Sequence, residues 1–183
     1  MKREIIRKTK TQETFKKALA ALLEKNSILD ISTKQVCQQA KRNRSTFYAN
    51  YKDLNDLYQD LKKDLLEECY SSLSSAFFQE KTIVSFLSLV KGNKLLQTLL
   101  FQNEDTSFLN HLKHYESDQI KENMSFMKDN PYRDYIADYF ISGSFAIIDR
   151  WVKNGCEKEI PSIAGLILGL TKNTNLDFIW NCH

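Results

Sequence analysis

Arg44 and Tyr48 stand four residues apart in the stretch from Ile31 to Lys52, ISTKQVCQQAKRNRSTFYANYK, and on a helix they share one side. Phe47 and Tyr51, also four apart, share another. One side can pack while the other touches a partner. An arginine on such an exposed edge can pair bidentately with guanine O6 and N7, a contact that discriminates between bases by about 1–3 kcal/mol. That is recognition chemistry, in which no bond is made or broken.

Two short helices and a tight turn must hold these residues. Ser32 or Thr33 can cap the first helix, because a short side-chain oxygen accepts from an orphan amide of the first turn. Val36, Cys37 and Ala40 then form a small apolar face. The segment KRNR is too polar to extend it, so it marks the turn and the entry to a second helix, from about Arg44 to Asn50. The pattern is a helix-turn-helix whose second helix suits a major groove. Upstream, Phe15, Ala18, Leu19, Leu22 and Leu23 recur at helical spacing from Thr11 onward and supply the surface on which the motif packs, with Ile28, Leu29 and Ile31 closing the core. Residues 1–10 read as a basic arm with Lys2, Arg3, Arg7, Lys8 and Lys10. It serves either as a phosphate or minor-groove contact or as a solubilising terminus.

Charge follows the same division. Residues 1–52 carry 13 Lys+Arg against 4 Asp+Glu, and the remainder carries 13 against 19. A positive end on a negative body points to a polyanion partner for the first part alone. No run of about 18 apolar residues is present, and MKREIIRKTK lacks the apolar core of a secretory signal. A cytoplasmic protein with no membrane partner is expected. Cys37, Cys69, Cys156 and Cys182 are widely spaced, which suggests buried thiols and no zinc or redox motif.

Beyond Lys52, Asp53 can cap a new helix whose first turn carries Asp56. Leu57, Leu61, Leu65, Cys69, Leu73 and Phe77 follow at intervals of four, and no proline or glycine interrupts 53–80. One helix of about 40 Å is expected there, linking two domains at 1–52 and 53–183. Gly92-Asn93 separates two apolar helices between Thr82 and Gln102, and a further helix runs from about Thr106 to Met127, whole or broken near Ser117. The last two long apolar segments, 132–154 and 161–180, are studded with Ala137, Gly143, Ser144, Ala146, Ala164, Gly165 and Gly169. Small residues allow helices to approach closely, which suits a core or a subunit interface.

Phe86, Phe101, Phe108, Tyr115, Phe126 and Tyr139 are candidates to line an apolar effector pocket. His111 and His114 lie three apart, with Glu116 and Asp118 nearby; two ligands in helical register are too few for a metal site, and the pair is either solvated or lines a ligand cavity. No metal or cofactor is expected. The sequence has no nucleophile elbow, P-loop, dinucleotide fingerprint or paired catalytic acids, so no enzyme is expected either.

Taken together, IST-KQVCQQA, NRSTFYANYKDLNDLY and the later WVKNGCEKEIPSIAGLI resemble the TetR family of bacterial transcriptional repressors. The resemblance implies an all-α homodimer: a three-helix DNA-binding domain, then a helical-bundle regulatory domain whose last two helices pair with a second subunit. It implies a regulator released from its operator by a small-molecule effector. It places phosphate contacts at Thr33, Thr46, Tyr48 and Lys52, and base contacts at Lys34, Asn43, Arg44, Ser45 and Tyr48. The subunit interface falls on Phe140, Ile147, Trp151, Leu166 and Leu170. Two departures accompany it: Lys41 stands where the family usually has the turn glycine, and Leu54 where a DNA-contacting lysine is usual. An adaptor that keeps the fold but has lost operator or effector control is the alternative they raise.

Overall fold

The structure is a computed structural model, which describes residues 2–73, 79–102, 106–123 and 130–172. The expectations placed on Phe77, Met124, Phe126, Met127 and Cys182 lie outside them. Among the described residues every regular element is helical, and none of the helices is long and apolar enough to cross a membrane.

The chain divides into two compact units, Met1–Leu65 and Leu66–His183. In the first, α1 (Lys2–Leu23) packs on α2 (Thr33–Gln39), which packs on α3 (Arg44–Tyr48), with a short 3-10 turn at Ile28–Asp30. Helix α1 begins at Lys2, so the basic residues expected as an arm belong to its first turns. The reason for α1's position lies in its stripe: Phe15 and Leu19 are fully buried, with Ala18 and Leu23 close behind. Leu29, expected in this core, is instead 91% exposed.

Helix α4 (Leu54–Leu73) starts in the first unit. Asp53 caps it, accepting from the Asp56 amide at 2.8 Å, and Asp56 in turn accepts from the Lys52 amide at 2.9 Å. The division between units falls inside α4, past the 52/53 boundary expected from sequence, because the first turns of α4 are bound to α1. Lys16 reaches Asp64 directly, Glu13 at 2.8 Å and Asp60 at 3.8 Å, and the Tyr51 hydroxyl donates to Asp60 at 2.8 Å. Burial alone would lower the Lys16 pKa, but the bonds to Asp64 and Glu13 and the charge of Asp60 outweigh it and raise the pKa. The single helix expected over 53–80 is not formed: Gln79 is extended and stands just before the next helix, with no side-chain bond to its first turn.

The second unit contains α5 (Glu80–Gly92), α6 (Lys94–Phe101), α7 (Ser107–Asn123), α8 (Arg133–Lys153) and α9 (Ile160–Lys172). Asn93 starts α6, its side chain accepting from the Leu96 amide at 3.0 Å. Helix α7 passes Ser117 without a break, because that serine is buried and donates to Asp138 of α8 at 3.2 Å. Helix α7 packs on α8, and α9 on α5 and α8. The turn into α9 is closed by Gly155 at φ 69°, with the Trp151 indole donating to the Lys158 carbonyl at 2.8 Å.

Candidate nucleic-acid interface and regulatory cavities

The second helix of the motif is presented by its caps and its core. Ser32 and Gln35 form a reciprocal capping box on α2: the Ser32 amide donates to Gln35 Oε1 at 2.8 Å, and the Gln35 amide to Ser32 Oγ at 3.3 Å. Asn43 caps α3, its Oδ1 accepting from the Thr46 amide at 2.8 Å and from the hydroxyls of Ser45 and Thr46. Beneath them, Phe47 is fully buried, edge-on to Phe15 at 5.3 Å and tilted against Tyr51 at 5.9 Å. Val36, Cys37 and Ala40 of the α2 face are buried beside this aromatic cluster.

The turn between the helices has a definite geometry. The Arg42 amide donates to the Cys37 carbonyl at 2.9 Å and the Lys41 amide to the Gln38 carbonyl at 3.1 Å. This is the paired bonding that ends a helix through one left-handed residue. That residue is Lys41, at φ 51°. Left-handed backbone costs a non-glycine residue about 1–2 kcal/mol. Lys41→Gly is therefore expected to stabilise the protein by about 0.5–1 kcal/mol, after allowance for the extra freedom glycine gains when unfolded. A chemical denaturation midpoint that does not rise would show that the turn carries no such strain.

Around this frame the sequence-derived contact residues face outward. Lys34, Asn43, Arg44, Ser45, Tyr48 and Lys52 are exposed, Tyr48 at 58%, while Thr33 and Thr46 are half-buried. Arg44 has no ion pair among the described residues, so its guanidinium is free to meet an acceptor. Asn43, Ser45 and Thr46 are bonded to one another, so their first duty is to hold α3 in place.

In the second unit, Phe86, Phe101, Phe108, His111, Tyr115 and Tyr139 do not line one shared cavity among the described residues. Phe86 lines a small core cavity of about 10 Å³ with Leu73, Ile83, Glu116, Ser144, Phe145, Ile148 and Ile167. Phe101 lines an outer cleft of about 300 Å³ between α6, α7 and α8, together with Leu100, Leu109, Lys113, Phe145 and Asp149. Phe108 is buried, Tyr115 stacks on Tyr70 with centroids 4.1 Å apart, His111 is exposed, and Tyr139 is 68% exposed on α8. Among the described residues no group of three His, Cys, Asp or Glu could hold a metal ion.

Glu116 was singled out by sequence only as a neighbour of the histidines. It is fully buried, neither carboxyl oxygen has a hydrogen-bond partner, and burial pushes its pKa up to about 8. A signal for it was present: Phe108, Leu112, Glu116 and Ile120 follow at intervals of four, and all four are buried.

Of the five interface candidates, Phe140 and Trp151 are buried within their own unit, Ile147 is half-buried, and Leu166 and Leu170 are 48% and 57% exposed. A groove of about 400 Å³ lies beside them, lined by Ala146, Ile147, Arg150, Trp151, Ile163 and Leu166.

Residues 78–173, just over half the chain, match the family model described as the transcriptional regulator C-terminal region of TetR type. By fold, the chain is similar to a TetR transcriptional regulator from Streptococcus agalactiae 2603V, with a TM-score of 0.70 and 19% identity over 92% of this chain and 97% of that one. It is also similar to the fatty acid degradation regulator FadR from Bacillus halodurans, with a TM-score of 0.63 and 11% identity over 90% and 96%. The dihydroxyacetone kinase operon activator DhaS gives a TM-score of 0.59 and 18% identity over 88% and 94%. No curated protein matches the chain by sequence. With a helix-turn-helix unit in front of a matched regulatory region, the chain belongs to the TetR family of transcriptional regulators.

Proposed function

We propose that the protein is a dimeric repressor that binds double-stranded operator DNA through α2 and α3 and is released by a small-molecule effector held in its second unit. The observation that carries the DNA reading is the outward face of α3. Arg44 and Tyr48 are exposed, and Arg44 has no ion pair among the described residues, on a helix anchored by the adjoining, fully buried Phe47. Lys34 and Lys52 are exposed too, in the positively charged part of the chain. Phosphate contacts position a protein on DNA, and base contacts select the sequence.

Arg44→Ala is accordingly expected to weaken binding to the operator about 10–100-fold while changing binding to random DNA little. Lys52→Ala should weaken both alike and lower the slope of log affinity against log salt by about one. Fluorescence titration against DNA upstream of the protein's own gene, at several salt concentrations, measures both. Equal losses on operator and random DNA for the two variants would remove Arg44 from the base-reading set, and salt-insensitive binding would sink the DNA reading altogether.

The dimer reading rests on α8 and α9. Leu166 and Leu170 are exposed beside Gly165 and Gly169, and an added Cβ at either glycine, or at Gly143 of α8, would meet nothing within 4 Å. The subunit's own packing therefore does not require glycine at these places, whereas close approach of a partner helix does. Changing Leu166 and Leu170 to aspartate is expected to shift the mass in solution at micromolar concentration from dimer to the 21.4 kDa monomer. A wild-type protein that is already monomeric there contradicts the dimer. Transcription from the operator in cells lacking the protein gives the sign of regulation, and a fall in expression on its removal would overturn the repressor.

A further inference from the structure

We propose that the effector site is built on Glu116, is reached through the cleft between α6, α7 and α8 with Phe145 as its gate, and takes an apolar molecule carrying a protonated amine. The inference rests on the effector reading above and names the ligand class for it.

Glu116 is fully buried on α7, and neither oxygen receives a hydrogen bond. Buried polar groups in native proteins are almost always bonded, and an orphan asks for a partner that is missing. The walls around it come from α4 (Leu73), α5 (Ile83, Phe86), α8 (Ser144, Phe145, Ile148) and α9 (Ile167), and among the described residues the Ser144 hydroxyl is the only other polar side chain there. A cavity of about 10 Å³ has room for a single water at most. It does not hold an organic ligand as it stands.

Phe145 supplies the missing space. Its ring lines both the Glu116 cavity and the outer cleft of about 300 Å³, and it is held by a 6.0 Å edge contact to Phe86. When that one ring turns aside, the cleft and the cavity become continuous, with a volume in the range of small-molecule sites. The combined walls bring together Leu100, Phe101, Leu109, Ile83 and Ile148, with Thr106, Lys113, Ser142, Asp149 and Lys153 also lining the cleft part and the Glu116 carboxyl in the cavity part.

Once ionised, Glu116 offers two acceptor oxygens that no protein donor meets, and these select a donor-rich group. An ammonium brings three N–H donors and the counter-charge that a buried carboxylate needs. The proton balance is specific. Burial keeps Glu116 protonated near pH 7 when the site is empty, so pairing with an ammonium places a carboxylate against it and gives one proton to the buffer. The titratable group coupled to Glu116 is Cys69 of α4, whose thiol burial pushes up to about 12, so it stays neutral through this range. The lining residues of α5 and α9 are apolar.

The test is calorimetric titration of the full-length protein with n-hexylamine and its neutral counterpart 1-hexanol, in buffers of different ionisation enthalpy, for the wild type and Glu116→Gln. The wild type is expected to bind hexylamine at least about tenfold more tightly than hexanol, with release of about one proton, and Glu116→Gln to bind the two alike with no release. Equal affinities in both proteins, or no binding of either probe, overturns the inference. If hexylamine binds through Glu116 but leaves operator affinity unchanged, the site stands and the effector reading falls.

Discussion

Replacing Phe47 by alanine is expected to destabilise the first unit by about 3–5 kcal/mol. That is a large fraction of what holds a small domain folded. The ring is fully buried and meets Phe15, Tyr48 and Tyr51 with centroids 5.3, 5.4 and 5.9 Å away. Helix α3 has only five residues, too short to persist without packing. Removing the ring takes away the support for Arg44 and Tyr48 beside it, so operator affinity should fall with stability although no atom of Arg44 or Tyr48 has changed. Phe47→Leu, which keeps most of the buried volume, should recover much of both. Because the substitution lies in the first unit, the measurement that localises its effect is amide hydrogen exchange within α1–α3. Unchanged protection there in Phe47→Ala would show that the aromatic cluster does not hold the motif together.

A second large effect concerns Glu116 and acid–base chemistry. Its folded pKa, about 8, lies above the ordinary 4.5 because burial disfavours the charged form. As pH rises past 4.5 the unfolded chain gives up this proton while the native protein keeps it until about pH 8. The unfolded state then binds fewer protons, so stability falls as pH rises, by about 1.4 kcal/mol per pH unit at most across that window. Below the window both states are protonated, and above it both are ionised, so the dependence disappears. The Lys16 network acts through other groups, and its acids are common to both proteins compared. The wild type minus Glu116→Gln difference therefore isolates this carboxyl. Denaturant unfolding between pH 4.5 and 8 should show Glu116→Gln gaining on the wild type steadily with pH. A constant difference would mean that Glu116 titrates normally and has a partner.

Much of the first unit was legible before any coordinates. Of the two cap candidates, Ser32 caps the first helix of the motif, Asp53 caps α4, Phe47 and Tyr51 form the inward side, and Lys41 occupies the left-handed position that glycine would fill most easily, whereas Asn43, expected at bases, caps α3. These are local properties. A cap needs an oxygen within three residues, a helical face needs a repeat near four, and a turn needs a permitted φ, so each is written in a few consecutive residues. The all-helical class of the second unit was legible for the same reason.

What only the tertiary structure decided is which faces meet. The core cavity collects Leu73, Ile83, Glu116, Ser144 and Ile167 from five helices, and no periodicity within one helix announces that convergence. Tyr139 and Phe140 are adjacent in sequence and were assigned to pocket and interface. The fold leaves Tyr139 exposed and buries Phe140, because one residue is a turn of about 100° around α8. Glu116 shows the limit most clearly. Its place in a four-residue apolar stripe was written in the sequence, but that the stripe closes over the carboxyl without giving either oxygen a donor depends on how α7 packs among helices distant in the chain.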